Sequence, residues 1–288
     1  MTSPPAILLV GPAHRPEFRE AAATLDRFGQ VAAAGDATEA ERLLAGPLVA
    51  DLIVVVQSFP GEVAAEAVDR LRQRAPLARV VGLLGSWCEG EMRSGEPWPA
   101  AVRVYWHQWP DRCAAELDRI GFGRPAAWSL PATATEEERL LLESRDPLPA
   151  GAGLIVVCSR SFDVADWLSD ACRRQGYATV RLDPRRLPYV EGAAAGLFDM
   201  ADAGPDDLAE LAAFTAHLRP APVLALMHFP RTQDLRRAAR HGAAGVLSKP
   251  VQLEDLLGRL ARVCAGHGGA ARDEKDGGDA NPCPTRSS

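Results

Sequence analysis

Five side chains in one stretch of the sequence could bind a metal ion: Cys88, Glu89, Glu91, His107 and Cys113. Structural zinc sites combine about four such ligands at short, recognisable spacings. The spacing here matches none of those patterns, and Cys113 falls on a core position of a predicted helix, so we predict no metal site. His107, at the predicted end of a strand, could instead act as a general base, but the sequence nearby offers no nucleophile or oxyanion donor to work with it.

Tryptophan is concentrated in the same region. Five of the six tryptophans lie between Trp87 and Trp128, and glycine and proline interrupt any helix in residues 85–101. Exposed aromatic side chains bury a large area in an interface at little entropic cost. This insert is therefore either a partner-binding loop or a cover for a sheet edge that a missing helix leaves bare. The candidate partner-binding residues are Trp87, Glu89, Glu91, Trp98, Trp106, His107 and Trp109.

The elements that position these residues alternate between short apolar runs and segments of helical periodicity. Five predicted strands in the first half are followed by five in the second, and their nearly continuous apolar character indicates parallel sheets covered on both faces. The sequence predicts an α/β chain of two tandem flavodoxin-like, doubly wound domains, each a five-stranded parallel sheet with helices on both faces. In the second half, two prolines are expected to shorten the second helix to about Pro184–Val190.

The predicted domain boundaries follow the composition. Residues 1–121 form the first domain, with the Trp-rich insert at 85–101, and residues 151–266 form the second. Between them, residues 122–150 form a linker with a short helix, because Thr135 is a good N-cap residue and three glutamates follow it in the first turn. The tail, 267–288, is rich in Gly, Asp and Pro and is predicted to be disordered.

The segment from His241 to Pro250 resembles the fifth strand of response-regulator receiver domains, in which a Gly-Ala pair leads into an apolar strand ending in Lys-Pro. This resemblance implies a set of site residues. An acidic pair after strand one binds Mg²⁺, an Asp after strand three accepts a phosphoryl group, a Ser or Thr follows strand four, and the lysine contacts the phosphate. Lys249 is the candidate phosphate-contacting residue.

The second half keeps part of this set. Asp199 is the best match to the phospho-acceptor, although Asp202 is close enough in register to compete. Cys158 and Ser159 replace the acidic pair, and strand four ends in Met-His instead of a small hydroxyl residue. Since Mg²⁺ needs several oxygen ligands, we predict no phosphorylation and no cofactor, and Mg²⁺ is expected only if the chain acts in a phosphorelay.

The first half resembles the family at the level of the fold and has lost more of the site. Its third strand is followed by the expected proline, but Val56 occupies the acceptor position. Gly11 and Pro12 follow its first strand, and no Lys-Pro pair follows its fifth. A phosphoryl-accepting role for the first half is therefore excluded.

Composition limits the partners. The net charge of -6 and pI of about 5.6 argue against nucleic acid, because no basic excess is present to release counterions from phosphates. The apolar runs are shorter than the ~20 residues of a membrane helix, and Met1–Pro5 lacks an export signal, so we expect a cytoplasmic protein with no membrane partner. The six cysteines contain no CxxC pair and are expected to be reduced.

Three functions remain open. The favoured one is a non-catalytic signalling or scaffold protein whose receiver-like domains bind partners without phosphoryl transfer, because no DNA-binding helix pair, enzymatic output domain or complete catalytic set is left unassigned. The second is a response regulator phosphorylated on Asp199. The third is an enzyme with a pocket around Trp87, Glu89 and His107. The expected partner is another protein, such as a signalling kinase or regulator, or a second copy of the chain in a homodimer.

Overall fold

The computed structural model describes residues 4–91, 98, 102–121, 123–131, 133–143 and 150–276, with the backbone alone at 136, 139, 140, 143 and 267–276. The chain divides into two compact units with the boundary near residue 147. None of the helices in these ranges is both long enough and apolar enough to cross a bilayer.

Strands and helices alternate along the first unit. Three short 3-10 turns, Pro16–Phe18, Ser86–Cys88 and Ala127–Ser129, lie among them. In chain order, the described elements are β1 (Ala6–Val10), α1 (Arg19–Phe28), β2 (Gln30–Ala34), α2 (Ala37–Leu44), β3 (Leu52–Gln57), α3 (Ala65–Arg74), β4 (Arg79–Leu84), β5 (Val102–Tyr105), α4 (Trp109–Gly121) and α5 (Glu136–Glu143). The five strands are parallel and lie in the order β2-β1-β3-β4-β5.

The central strand explains why helices flank this sheet. Strand β3 reads Leu-Ile-Val-Val-Val-Gln and is buried along its whole length. A parallel strand that is apolar on both sides must be covered on both faces. Helices α2 and α3 pack together over the face that carries Ile53 and Val55, while α1 packs against α4.

The second unit has the same order of strands. Its elements are β6 (Leu154–Cys158), α6 (Phe162–Arg174), β7 (Ala178–Leu182), β8 (Ala193–Asp199), α7 (Pro205–Leu218), β9 (Val223–His228), α8 (Thr232–Arg240), β10 (Ala243–Lys249) and α9 (Leu253–Asp276). All five strands are parallel, in the order β7-β6-β8-β9-β10. In each unit the third strand is therefore central, which confirms two tandem flavodoxin-like α/β domains.

Alternate residues of β6 build two separate cores. Ile155 and Val157 face one side, where they pack with side chains of α6 and α9. Val156 and Cys158 face the other side, where they pack with Phe198, α7 and α8. This alternation is the two-residue period of a strand, and it places the residue after Cys158 at the carboxyl edge of the sheet.

The expected helix at Pro184–Val190 is wrong. Residues 183–192, all of which the structure describes, form an antiparallel bridge between Asp183 and Arg186, followed by residues with no helix or strand. Asp183 stabilises the turn by accepting a hydrogen bond from the backbone N–H of Arg185 (2.8 Å). Proline removes a backbone donor and blocks helix propagation, so two prolines in this segment prevent even a short helix.

The segment after α4 belongs to the first unit. The 3-10 turn at Ala127–Ser129 is buried at Trp128, whose ring lies 5.4 Å from that of Trp109. The backbone N–H of Trp128 donates to Glu116 Oε2 (2.8 Å). The first unit thus extends beyond the predicted limit at residue 121.

The predicted linker helix is present as α5. Thr135 accepts from the backbone N–H of Glu138 (3.2 Å), and Glu138 accepts from that of Thr135 (2.8 Å). This reciprocal pair is a capping box, which satisfies two backbone donors at the start of the helix.

The C-terminal helix is longer than the composition indicates. Helix α9 continues to Asp276, although the sequence predicts disorder from residue 267. Each residue added to an existing helix gains a hydrogen bond, and Ala, Arg, Glu and Lys, which all occur in this segment, are good helix formers. The rest of the predicted tail, 277–288, lies outside the described residues.

We expect residues 150–276 to fold without the first unit, because they contain both cores of the second sheet and every helix that covers them. A two-dimensional amide NMR spectrum of this fragment should be well dispersed. A matched fragment, 150–252, lacks α9 and with it Leu256 and Leu260, which are fully buried, and should give a collapsed spectrum. A collapsed spectrum from the longer fragment would contradict independent folding.

Candidate functional site

Three side chains meet at the carboxyl edge of the second sheet. Asp199 is the last residue of β8, Lys249 is the last residue of β10, and Ser159 directly follows β6. Because parallel strands all end at the same edge, their final residues converge there, and this edge is where open α/β sheets bind ligands.

Both oxygens of the Asp199 carboxylate are bound within the chain. Lys249 Nζ donates to Oδ1 (2.5 Å), and Ser159 Oγ donates to Oδ2 (2.6 Å). Lys249 also donates to the carbonyl of Met200 (2.9 Å), and the Ser159 hydroxyl accepts from the backbone N–H of Ser161 (3.0 Å). The Lys249 and Asp199 side chains are only 14% and 10% exposed, so the pair is largely shielded from water.

The competing carboxylate, Asp202, has a different role. Asp202 is exposed, and its Oδ1 accepts from the backbone N–H of Gly204 at 2.6 Å. This short contact closes the turn before α7, as Asp side chains commonly do. The carboxylate beside Lys249 is that of Asp199.

Cys158 contributes no charge to the site. Its side chain is fully buried in the core on the α7 side of the sheet. Burial raises the pKa of the thiol to about 12, with smaller contributions from nearby carboxylates that include Asp183 and Asp199. The thiol is therefore neutral at physiological pH. Met227, at the end of β9, is likewise buried in the core, and the exposed His228 follows it.

The strand registers identify the equivalent positions in the first unit. In both units the first strand pairs with the third, and the fourth strand pairs with the third and the fifth. Counted along these pairs, the residues at the positions of Ser159, Asp199 and Lys249 are Gly11, Val56 and Trp106.

These three residues do not reproduce the hydrogen bonds that join Ser159, Asp199 and Lys249 in the second unit. Gly11 has a φ of +104°, and a Cβ atom there would lie 2.7 Å from the carbonyl oxygen of Val56, so the backbones meet where Ser159 places its hydroxyl. Val56 is fully buried and Trp106 is 6% exposed. The first unit thus closes this position with apolar contacts.

The Trp-rich region divides into one exposed and several buried side chains. Trp87 is 62% exposed, whereas Trp98, Trp106 and Trp109 are buried. The expectation that these three aromatic side chains form an exposed binding surface is therefore wrong. Trp98 packs on Gly82 of β4 and its Nε1 donates to the carbonyl of Val63 at 2.8 Å. Residues 92–97 and 99–101 of the insert lie outside the described residues.

Gly82 is the sequence signal for the burial of Trp98. A Cβ atom at this position would lie 3.0 Å from the indole ring. Glycine in a strand interior often marks a close approach by another group, so a glycine within an otherwise apolar strand could have indicated that a large side chain packs there.

The two candidate acids each pair with a residue of β5 or of the turn that follows it. Glu89 Oε1 lies 3.2 Å from His107 Nε2, and each side chain is 7% exposed. Arg103 donates a short hydrogen bond to the buried Glu91. Tyr105 stacks on the His107 ring, with centroids 6.0 Å apart. These five side chains form a largely buried cluster at the end of β5 instead of lining an open pocket.

Two of the candidate metal ligands, Glu89 and His107, lie close together, but the candidates form no metal-binding group among the described residues. Cys88 and Cys113 are buried free thiols, and burial raises their pKa values to about 11 and 12. Among the described residues, no three His, Cys, Asp or Glu side chains lie close enough to bind one ion.

Known proteins resemble this chain in structure. No protein-family model and no curated protein matches its sequence. Solved structures similar to it include a Francisella response-regulator receiver domain (16% identity, 40% of this chain and 98% of that chain, TM-score 0.36) and the Vibrio cholerae chemotaxis protein CheY4 (20%, 39% and 99%, 0.34). Another is the receiver domain of a Syntrophus aciditrophicus histidine kinase (22%, 40% and 91%, 0.35). Each of these three receiver structures aligns with about 40% of this chain.

We expect Lys249→Met to destabilise the second unit by about 3 kcal/mol, because the change keeps most of the aliphatic chain and leaves the buried Asp199 carboxylate without its counter-charge. Urea unfolding measures the loss. The exposed Arg174, which pairs with Asp170 at 2.8 Å, is the matched control. Arg174→Met should cost less than about 1 kcal/mol.

The double variant Lys249→Met/Asp199→Asn identifies the cause of that loss. If the unpaired carboxylate is responsible, the double variant should be more stable than the sum of the two single changes implies. Additive losses would show that the lysine acts through packing alone.

Trp98→Ala should destabilise the first unit by about 3–5 kcal/mol, the usual cost of removing a buried aromatic side chain. Trp87→Ala should change its stability by less than about 1 kcal/mol because Trp87 is mostly exposed. Thermal unfolding of the two variants, followed by circular dichroism, makes the comparison. Equal losses would contradict the division of the Trp-rich region into a core side chain and a surface side chain.

Proposed function

We propose that this chain is a non-catalytic signalling or scaffold protein whose two receiver-like domains bind partner proteins without phosphoryl transfer. The observation that carries the proposal is the engagement of both Asp199 oxygens by Ser159 and Lys249. A carboxylate held in this way already has its hydrogen bonds and its counter-charge, so its site is complete without an added group.

The chemistry of phosphoryl transfer supports this interpretation. A carboxylate attacks a phosphoryl group when cations neutralise the crowded oxygens, and Mg²⁺ needs several oxygen ligands in near-octahedral geometry. At the end of β6, where the resemblance implies a pair of acids, Cys158 is a buried neutral thiol and Ser159 donates its hydroxyl hydrogen to Asp199. These residues do not fit the ion, and the ammonium group in contact with Asp199 is that of Lys249.

The first unit supports the proposal by a separate route. Gly11, Val56 and Trp106 hold the positions of serine, aspartate and lysine, and none of them can accept or bind a phosphoryl group. Trp87, exposed and adjacent to the carboxyl edge of the sheet, is the aromatic residue of the insert that remains available to a protein partner.

Phosphorylation of Asp199 is the second candidate function. The contact of Lys249 with Asp199 favours it, because an ammonium group held at the carboxylate could remain beside a phosphoryl oxygen. An enzymatic pocket at Trp87, Glu89 and His107 is less favoured, because Glu89 and His107 are buried and face each other. As part of the main proposal, the chain acts in the cytoplasm with reduced thiols, and its partner is a protein.

Incubation of the purified chain with Mg²⁺ and acetyl phosphate should leave its intact mass unchanged, because the metal has too few ligands at Asp199. Mass spectrometry of the intact chain and of hydroxylamine-treated samples measures the outcome. A receiver domain that retains its acidic pair serves as the positive control for the donor.

The Asp199→Asn variant shows whether any phosphoryl group that is gained lies on Asp199. Gain of one hydroxylamine-sensitive phosphoryl group by the wild-type chain, absent from Asp199→Asn, would overturn the proposal in favour of the second candidate. If Asp199→Asn still gains a hydroxylamine-sensitive phosphoryl group, the modification lies on another carboxylate. That result would also contradict the proposal that the chain acts without phosphoryl transfer.

A further inference from the structure

Two loops flank Asp199, and side chains of α7 tie both of them down. The loop after β8 is bound by Asp207, whose Oδ2 accepts from the backbone N–H groups of Ala201 and Asp202, each at 3.1 Å. Lys249 binds the same loop at the carbonyl of Met200. This loop is therefore fixed from two directions, on either side of the carboxylate.

The loop after β6 is tied to the same helix by Arg160. Its Nη2 donates to Glu210 Oε1 at 2.6 Å, and its Nη1 lies 3.6 Å from Asp207 Oδ1. Arg160 directly follows Ser159, the residue whose hydroxyl contacts Asp199. Asp207 is thus the shared anchor, with one oxygen on the loop after β8 and the other facing the arginine from the loop after β6.

The two attachments differ in strength. Asp207 is 12% exposed and accepts hydrogen bonds from fixed backbone groups, whereas the Arg160 side chain is 47% exposed. Ion pairs in contact with water are weak and are screened by salt, while shielded pairs are screened much less. The arginine contact is therefore the one that can open without unfolding the sheet.

We propose that Arg160 is a salt-sensitive strap that closes access to the Asp199–Lys249 pair by holding the loop after β6 against α7. Release of Arg160 from Glu210 and Asp207, by salt or by a competing anion, exposes the pair to small solutes. The strap concerns access to the pair and holds whether or not the pair is ever phosphorylated, so it goes beyond the proposed function.

The lysine content of the chain permits a direct test. Lys249 and Lys275 are its only two lysines. Acetylation of the folded full-length chain with a water-soluble acetylating reagent, followed by peptide mass spectrometry over time, gives a separate rate for each lysine. Lys275, near the C-terminus, serves as the internal reference for reagent activity.

Arg160→Ala should increase the rate at Lys249 several-fold relative to Lys275, and Arg160→Lys should restore part of the protection. Arg174→Ala, which removes a surface ion pair with Asp170 (2.8 Å) at the far end of α6, is the matched control and should leave the rate unchanged. Raising the salt concentration from about 0.1 M to about 1 M, which shortens the screening length from about 10 Å to about 3 Å, should accelerate the wild type more than Arg160→Ala.

Asp199→Asn provides the reference for a lysine freed of its ion pair. Fast acetylation of Lys249 in this variant, together with equally slow acetylation in the wild type and Arg160→Ala, would overturn the strap. Thermal unfolding of each variant shows whether the second unit remains folded. Acceleration in Arg160→Ala that is accompanied by loss of the folded state would also overturn the proposal, because the arginine would then hold the unit together.

Discussion

A carboxylate removed from water must be satisfied by hydrogen bonds or by an opposite charge, since an isolated buried charge costs more than a fold can supply. At the carboxyl edge of the second sheet, Asp199 meets this requirement through Lys249 and Ser159. These contacts join the ends of three strands, and Lys249 extends the connection to Met200. The contacts that stabilise this edge also occupy both oxygens of the Asp199 carboxylate. A carboxylate that stabilises the sheet in this way is less available for a reaction.

The two units show two solutions to the same problem of topology. Parallel strands converge at one edge and bring their last residues together, whatever those residues are. The second unit places a serine, an aspartate and a lysine there and satisfies them mutually. The first places Gly11, Val56 and Trp106 at the equivalent positions, where Val56 is fully buried and Trp106 nearly so. Both solutions give a stable sheet, which is why the fold by itself does not reveal a reaction.

The sequence predicts the parts of this structure that depend on local pattern. The run Leu52–Val56 is apolar throughout, which favours a buried strand, and the acidic turn after Thr135 favours the start of a helix. The contact between Asp199 and Lys249 could be predicted from the Lys-Pro motif. The hydrogen bond from Ser159 could not, because a serine in place of an acid indicates only that a metal ligand is missing and does not show where the hydroxyl points.

The burial of the tryptophans could not be predicted from the sequence composition, for a related reason. Composition counts aromatic residues, but burial depends on the space that neighbours leave, and for Trp98 that space comes from Gly82 on an adjacent strand. The segment after β7 shows the opposite case: a short helix was expected there, but the two prolines and the turn at Asp183 prevent it.

The uneven distribution of tryptophan makes the two units optically distinct. Trp98, Trp106, Trp109 and Trp128 lie buried in the first unit, whereas the single tryptophan of the second, Trp167, is 45% exposed on α6. An indole shielded from water emits at shorter wavelength than a solvated one, so the blue part of the intrinsic fluorescence belongs to the first unit. Unfolding of the first unit therefore shifts the emission maximum of the whole chain to longer wavelength. The second unit can unfold with little change in emission wavelength, because its indole is already 45% exposed.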